Sequence, residues 1–194
     1  MASLANLRDA RHFPNYASCP EHTWVDRDFY SPCNEREEFF RPNRHWCLTA
    51  QVVEVNKVRG APIRAALKDK AGKLFSLKFP HNRPKALDVN KGDTVALMYA
   101  GTLKLFTHAP QIYLEHVPSA VAIPCTLPNL LALNDRLQTE LKTIDGKHTC
   151  QDCQTKAWDE NDHKRDCCIL RPIQSLFRLD WEKFDDFHML AAKS

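Results

Sequence analysis

Four side chains near the C-terminal end, Cys150, Cys153, His163 and Cys167, have the types and the spacing to grip one metal ion. In Cys-x2-Cys, both thiolates of one turn reach a single ion at about 2.3 Å, and the following His-x3-Cys step sets imidazole and thiolate on one face of a helical turn. Three soft thiolates and an imidazole suit tetrahedral zinc. Four protein ligands leave no position for water or substrate, so the spacing predicts one structural Zn(2+) and no Lewis-acid chemistry. His148 is an alternative to His163, although it stands too close to Cys150 for an easy tetrahedron. Cys168, next to Cys167, points elsewhere and reads as a buried thiol. Cys19, His22, Cys33, His45 and Cys47 have ligand chemistry too, at spacings that match no standard site, and buried cysteines with surface histidines are the competing reading.

The stretch Thr149-Cys150-Gln151-Asp152-Cys153-Gln154, with Trp158 a turn later and then His163 and Cys167, resembles the second half of a MYND-type zinc finger over about residues 149–168. A complete finger of that family holds two zincs, has an upstream cysteine tetrad and usually separates its cysteine pair by three residues. Here the nearest upstream cysteine is the isolated Cys125 and the pair is separated by two. The resemblance therefore implies a reduced, single-zinc version. In the family, the Gln and Trp positions help to hold short proline-containing peptides; carried over, these are Gln154 and Trp158.

Catalysis has little to stand on. No nucleophile elbow, phosphate-cradling glycine loop or His-Glu-x-x-His occurs, and the chain has 5 glycines in 194 residues. Paired acids such as Glu37-Glu38 and Asp185-Asp186 read as solvated surface. Arg8, Asp9 and Arg11 interrupt the place where an export signal needs an apolar run, and the longest such run, Val95 to Ala100, is far below a membrane span. A soluble protein of the nucleus and/or cytoplasm is expected, where thiolates more often hold metal than pair as disulfides.

Behind the metal segment must stand elements able to position it. Charge divides the chain: residues 1–45 carry 6 basic and 7 acidic side chains, 46–125 carry 11 and 5, and 126–194 carry 10 and 12, so the middle alone is basic, at +6. That middle also has strand periodicity over Leu48 to Val58, Ile63 to Asp69, Leu74 to Phe79, Thr94 to Ala100 and Ile112 to Val117, punctuated by turn residues at Arg59-Gly60, Lys70-Ala71-Gly72, Asn90-Lys91-Gly92-Asp93 and Ala100-Gly101. The long strand around Gln51-Val52-Val53-Glu54-Val55, the hairpin Leu67 to Phe75 and the entry Val89 to Val95 resemble an OB-fold over about residues 46–123. The resemblance implies a five-stranded, partly open barrel used for oligonucleotides and proteins. The family's helix after the third strand would fall in Pro80 to Val89, where Pro80 and Pro84 leave room only for a loop.

Beyond Pro128, Leu130, Leu133, Leu137, Leu141 and Ile144 recur at helical spacing, with Asn129 as cap and Gly146 as stop. Ile173, Leu176, Phe177, Trp181, Phe184 and Phe187 suggest a terminal amphipathic helix that docks on its own chain. The expected architecture is mainly β with α: an irregular N-terminal wrap (1–45), an OB-like antiparallel barrel (46–125), a linking helix (126–146), and the zinc module with the C-terminal helix (147–194). Two functions fit. One is a regulatory protein–protein adaptor with a structural zinc, presenting Gln154, Trp158 and the C-terminal helix to a protein partner. The other is a single-stranded nucleic-acid binder using Lys68, Lys70, Lys73, Lys78, Arg83 and Lys85 on phosphates and Phe75, Phe79 or Tyr99 on bases, the competing reading for these aromatics being barrel core.

Overall fold

The computed structural model describes residues 5–58, 62–79, 87–103, 110–114, 119–141, 166, 168–188 and 190. Within them, alternation of apolar and polar residues sets the sheet. Strands β1 (Tyr30–Pro32) and β2 (Phe40–Pro42) form a small hairpin inside the N-terminal segment. This segment, expected to be irregular throughout, thus carries a local sheet of its own. The main sheet contains β3 (Cys47–Asn56), β4 (Ile63–Asp69), β5 (Leu74–Phe79), β6 (Thr94–Met98), β7 (Gly101–Leu103), β8 (Gln111–Tyr113) and β9 (Ala120–Ile123). Its order is β7-β8-β5-β4-β3-β6-β9, antiparallel except for the β5/β8 pair.

The expected barrel does not close. β9 takes the second edge of β6, pairing Thr94 with Ile123 through Leu97 with Ala120, so that edge is no longer open to β8. The sheet must nevertheless coil. β6 and β7 are five places apart in the order, roughly 24 Å across a flat sheet at about 4.8 Å per strand. The step from Met98 to Gly101 spans three Cα–Cα links, at most about 11 Å.

The corner that makes this possible is Tyr99, whose φ of 57° places a bulky residue in the left-handed region. Trp46, fully buried, holds the corner from both sides: its carbonyl accepts the Tyr99 N–H at 3.0 Å, and its indole Nε1 donates to the Ala100 carbonyl at 3.1 Å. Edge-on contacts with the rings of Phe29, Tyr30 and Tyr99, at 5.0, 5.6 and 5.3 Å, complete its surroundings.

Two apolar clusters follow from the strand alternation. Leu48, Ala50, Val52, Leu67, Leu77, Val95 and Leu97 fill the inside of the coiled sheet. Ala96, Met98, Val121 and Ile123 point the other way, where Leu7, Phe13, helix α1 (Leu127–Leu141) and the C-terminal segment cover them. β6 is therefore buried on both faces, whereas β4 and β5 keep one solvent face. Asp69 joins the layers: its carboxylate accepts N–H bonds from Ala71 and Lys73 in the β4–β5 turn and from Tyr16 in the N-terminal segment.

Helix α1 starts at Leu127 rather than after Asn129. The Thr126 carbonyl accepts the Leu130 N–H, and Pro128 sits in the first turn, where its missing N–H costs no bond. The C-terminal series does not make the long amphipathic helix expected from its period. It forms a 3-10 helix, Arg171–Arg178, followed by turns, while Ile173, Leu176 and Trp181 are buried in the core, so its apolar side does face its own chain. No helix among the described residues is long and apolar enough to cross a membrane.

Trp46→Phe keeps a ring in place but leaves the Ala100 carbonyl unpartnered in a buried corner. The expected loss is about 1–3 kcal/mol of unfolding free energy, read from urea midpoints at unchanged m-value.

Candidate functional site

The residues singled out for metal and peptide binding, Cys150, Cys153, Gln154, Trp158, His163 and Cys167, lie outside the described residues, as does the alternative ligand His148. Both flanks of that segment are placed. Upstream, α1 buries Leu127, Leu130, Leu131 and Leu133, and its Asn134 side-chain carbonyl accepts the Leu7 N–H. Downstream, Ile169, Ile173 and Leu176 share one buried cluster with those leucines. Between the flanks, Arg136 on α1 pairs with Asp166. Asp166, far along the sequence from α1, thus stands beside that helix. Cys168, expected to be buried, is exposed, because Ile169 takes the inward position of that short turn.

The five N-terminal candidates do not assemble. Among the described residues no three His, Cys, Asp or Glu side chains stand together as a metal-ligand group. Cys19 is buried in the cluster inside the sheet and Cys47 in the cluster outside it, while Cys33 is exposed. Burial raises the Cys19 thiol and pushes Cys47 up to about 12, which keeps both as inert neutral thiols.

The solvent face of β4 and β5 carries Arg64, Lys68 and Lys78, with Lys73 exposed in the turn between the strands. Arg64 stands directly opposite Lys78, a like-charge pair that costs stability in an isolated sheet. None of the three has a carboxylate partner among the described residues, although Glu54 lies in register with Ala66 on the same face. The other residues proposed for nucleic acid are placed differently. Lys70 is half-buried, with its ammonium donating to the Leu7 and Phe13 carbonyls. Phe75, Phe79 and Tyr99 are core residues, and Phe75 stacks on Tyr16 at 4.8 Å. Arg83 and Lys85 lie outside the described residues.

A polar centre that the sequence did not single out lies under the C-terminal segment. His45 is fully buried; its Nδ1 is 2.6 Å from the Tyr99 hydroxyl, and Asp185 Oδ1 stands 3.3 Å from its Nε2, without hydrogen-bond alignment. The Tyr99 hydroxyl also accepts the His188 N–H at 2.9 Å. His12 extends the group, with Asp9 at 2.7 Å and Glu182 at 3.5 Å. Burial lowers the pKa of His45 and of His188, outweighing the opposing pull of Asp185 on each. Sequence separations of 54 between His45 and Tyr99, and 89 between Tyr99 and His188, left no local signal for this cluster. Its chemistry is that of a tether: the Tyr99 hydroxyl, bonded to the His188 N–H, and the His45 N–H, bonded to the Trp181 carbonyl at 3.2 Å, fix the C-terminal segment onto the sheet.

No family model and no curated protein matches this chain.

Because the folded-state pKa of both histidines lies below the unfolded value near 6.5, the unfolded chain takes up more protons as pH falls below that value. Stability contributed by the tether is thus complete above about pH 6.5 and declines below it, by up to about 1.4 kcal/mol per pH unit for each histidine. Thermal unfolding followed from pH 7.5 to 5 should show this decline, and His188→Asn should reduce its slope.

Proposed function

We propose that the chain is a zinc-dependent adaptor in which the segment bearing Cys150, Cys153, His163 and Cys167 is a protein-binding module mounted on the β domain. One observation carries this reading: both ends of the segment are held at α1, by Arg136 with Asp166 and by the leucine and isoleucine cluster around them. A stretch of some two dozen residues cannot bury a core large enough to fold alone. Tethered ends reduce the entropy of closing it, and a structural zinc can supply on the order of 10 kcal/mol toward its folding. In this reading Gln154 and Trp158 form the contact surface for a proline-containing peptide, and no residue has a catalytic role. The C-terminal segment, also considered as a partner surface, instead serves as a buried anchor. For residues 46–125, the β3-β4-β5 meander, the parallel β5/β8 pair and the bent β6–β7 passage support an OB-like barrel opened at one seam.

A second reading rests on Arg64, Lys68 and Lys78, whose like charges share an exposed face without a cross-strand acid on β4 or β5. They could follow a phosphate backbone. Stacking by Phe75, Phe79 or Tyr99, the other half of that reading, is lost to the core. The adaptor is accordingly preferred.

Native mass spectrometry of reduced protein should find one zinc per chain, removed by chelator, with capture on immobilised proline-containing peptides lost at the same time. Trp158→Ala should keep the zinc and weaken capture by about tenfold or more. Reduced protein without stoichiometric metal defeats the reading. For the second reading, three neutralised phosphates require single-strand affinity to fall with salt at a log–log slope of about −2; a flat titration at low salt dismisses it.

A further inference from the structure

Far from the metal segment in sequence, residues 20–25 lie along the start of β7. The His22 N–H donates to the Thr102 carbonyl at 2.9 Å, and the Thr102 N–H donates to the Pro20 carbonyl at 2.8 Å. Gly101 lies against this ledge, where a Cβ would meet the Pro20 carbonyl and His22 at 3.6 Å, an ordinary contact distance. Between this ledge and the β1/β2 hairpin is a half-open cavity of about 240 Å³. Trp24, Tyr30, Phe40 and Tyr99 line it, with Glu21 in the same wall.

Three features of the cavity agree on one ligand chemistry. Four of its ten lining residues are Trp, Tyr or Phe, and Trp24 is 75% exposed, leaving the indole available to an incoming group. The surrounding segment is acidic: from Pro20 to the end of the hairpin at Pro42, six carboxylates (Glu21, Asp26, Asp28, Glu35, Glu37, Glu38) stand against three arginines (Arg27, Arg36, Arg41), a balance of −3 in a chain whose total is +3. A cation from the protein itself already uses one of these rings, since the Arg27 guanidinium lies 5.7 Å from the Phe40 centroid while Glu37 holds it at 2.5 Å. Ring faces attract cations through their quadrupole, most strongly Trp, and alkylated ammonium groups are favoured because they are poorly hydrated and fill an aromatic enclosure. A phosphate or carboxylate ligand would meet the wrong charge here.

We infer that the cavity between residues 20–25 and the β1/β2 hairpin is a binding site for an alkylated ammonium group, held by Trp24, Tyr30 and Phe40 with Glu21 supplying the countercharge. The group has two sources, a free quaternary amine or a methylated lysine on a polypeptide. The site is independent of the zinc reading, so its occupancy should be unchanged by chelator.

The test uses the full chain and follows the Trp24 indole N–H by NMR. Choline is titrated against 3,3-dimethylbutan-1-ol, its neutral isostere, and a trimethyl-lysine peptide against the same peptide unmethylated. Saturable shifts are expected for choline, the trimethyl-lysine peptide or both, with the charged ligand preferred to its neutral or unmethylated counterpart by about tenfold. Stronger binding of the peptide assigns the site to a modified polypeptide, and equal or stronger binding of choline assigns it to a small amine. With Trp24→Ala, followed through the Trp46 indole N–H, affinity should fall by about tenfold, and with Glu21→Gln by about threefold. Because Trp24 is largely exposed, that variant should keep its melting temperature. The inference is overturned by an absence of saturable binding to the folded protein, by equal affinity for the neutral isostere, or by full binding in Trp24→Ala at unchanged melting temperature.

Discussion

Trp46 holds the corner at Tyr99 and Ala100, and the rest of the molecule is arranged around that hold. The Tyr99 N–H donated to the Trp46 carbonyl and the Trp46 indole N–H donated to Ala100 hold a left-handed backbone conformation that a tyrosine adopts only at a cost of about 1–3 kcal/mol. In return, the chain passes from β6 to β7 within two residues and carries the sheet around itself. The Tyr99 side chain is thereby aimed at His45 and the backbone of His188, while its ring meets Phe184 and Phe187 edge-on at 6.0 and 5.0 Å. N-terminal segment, sheet and C-terminal segment therefore meet at one point. Loss of the corner would loosen the N-terminal and C-terminal segments together, since both pack in the one cluster on the outer side of the sheet.

This convergence sorts the surfaces. β3, β6 and β9 are covered on their outer side by Leu7, Phe13, α1 and Trp181, which leaves the β4–β5 face and the N-terminal ledge open. The β4–β5 face is basic and the ledge is acidic and aromatic, so the two present opposite chemistry to partners. Asp166, the residue before Cys167, is held at α1 by its ion pair with Arg136.

Strands were the most legible part of the sequence. Ile63–Asp69 and Leu74–Phe79 follow directly from alternation, because one face of each is wet and the period of two stands out against it. Thr94–Met98 read as an apolar run for the opposite reason, being buried on both faces. The C-terminal series misled in geometry but not in destination. Ile173, Leu176 and Trp181 are spaced as on a helix and are buried, yet a short 3-10 helix followed by turns carries them there. Phe75 and Phe79 lie with Leu77 on the buried side of β5, and the alternation that defines the strand already weighed against their use in base stacking.

By itself, the sequence determined what local chemistry can determine: the positions of β3 to β6 and of α1, the basic middle, and a metal-ligand spacing within an 18-residue stretch from Cys150 to Cys167. Each depends on neighbours a few residues apart, and periodicity or spacing records such relations directly. Only the tertiary structure decided that the sheet stays open at β9, that His45, Tyr99 and His188 join as a buried tether, and that Trp24 and Phe40 share a cavity with Glu21. Those contacts link residues tens of positions apart, where pairing depends on which strand edge is left vacant and how tightly the sheet coils. Neither property belongs to any single segment of chain.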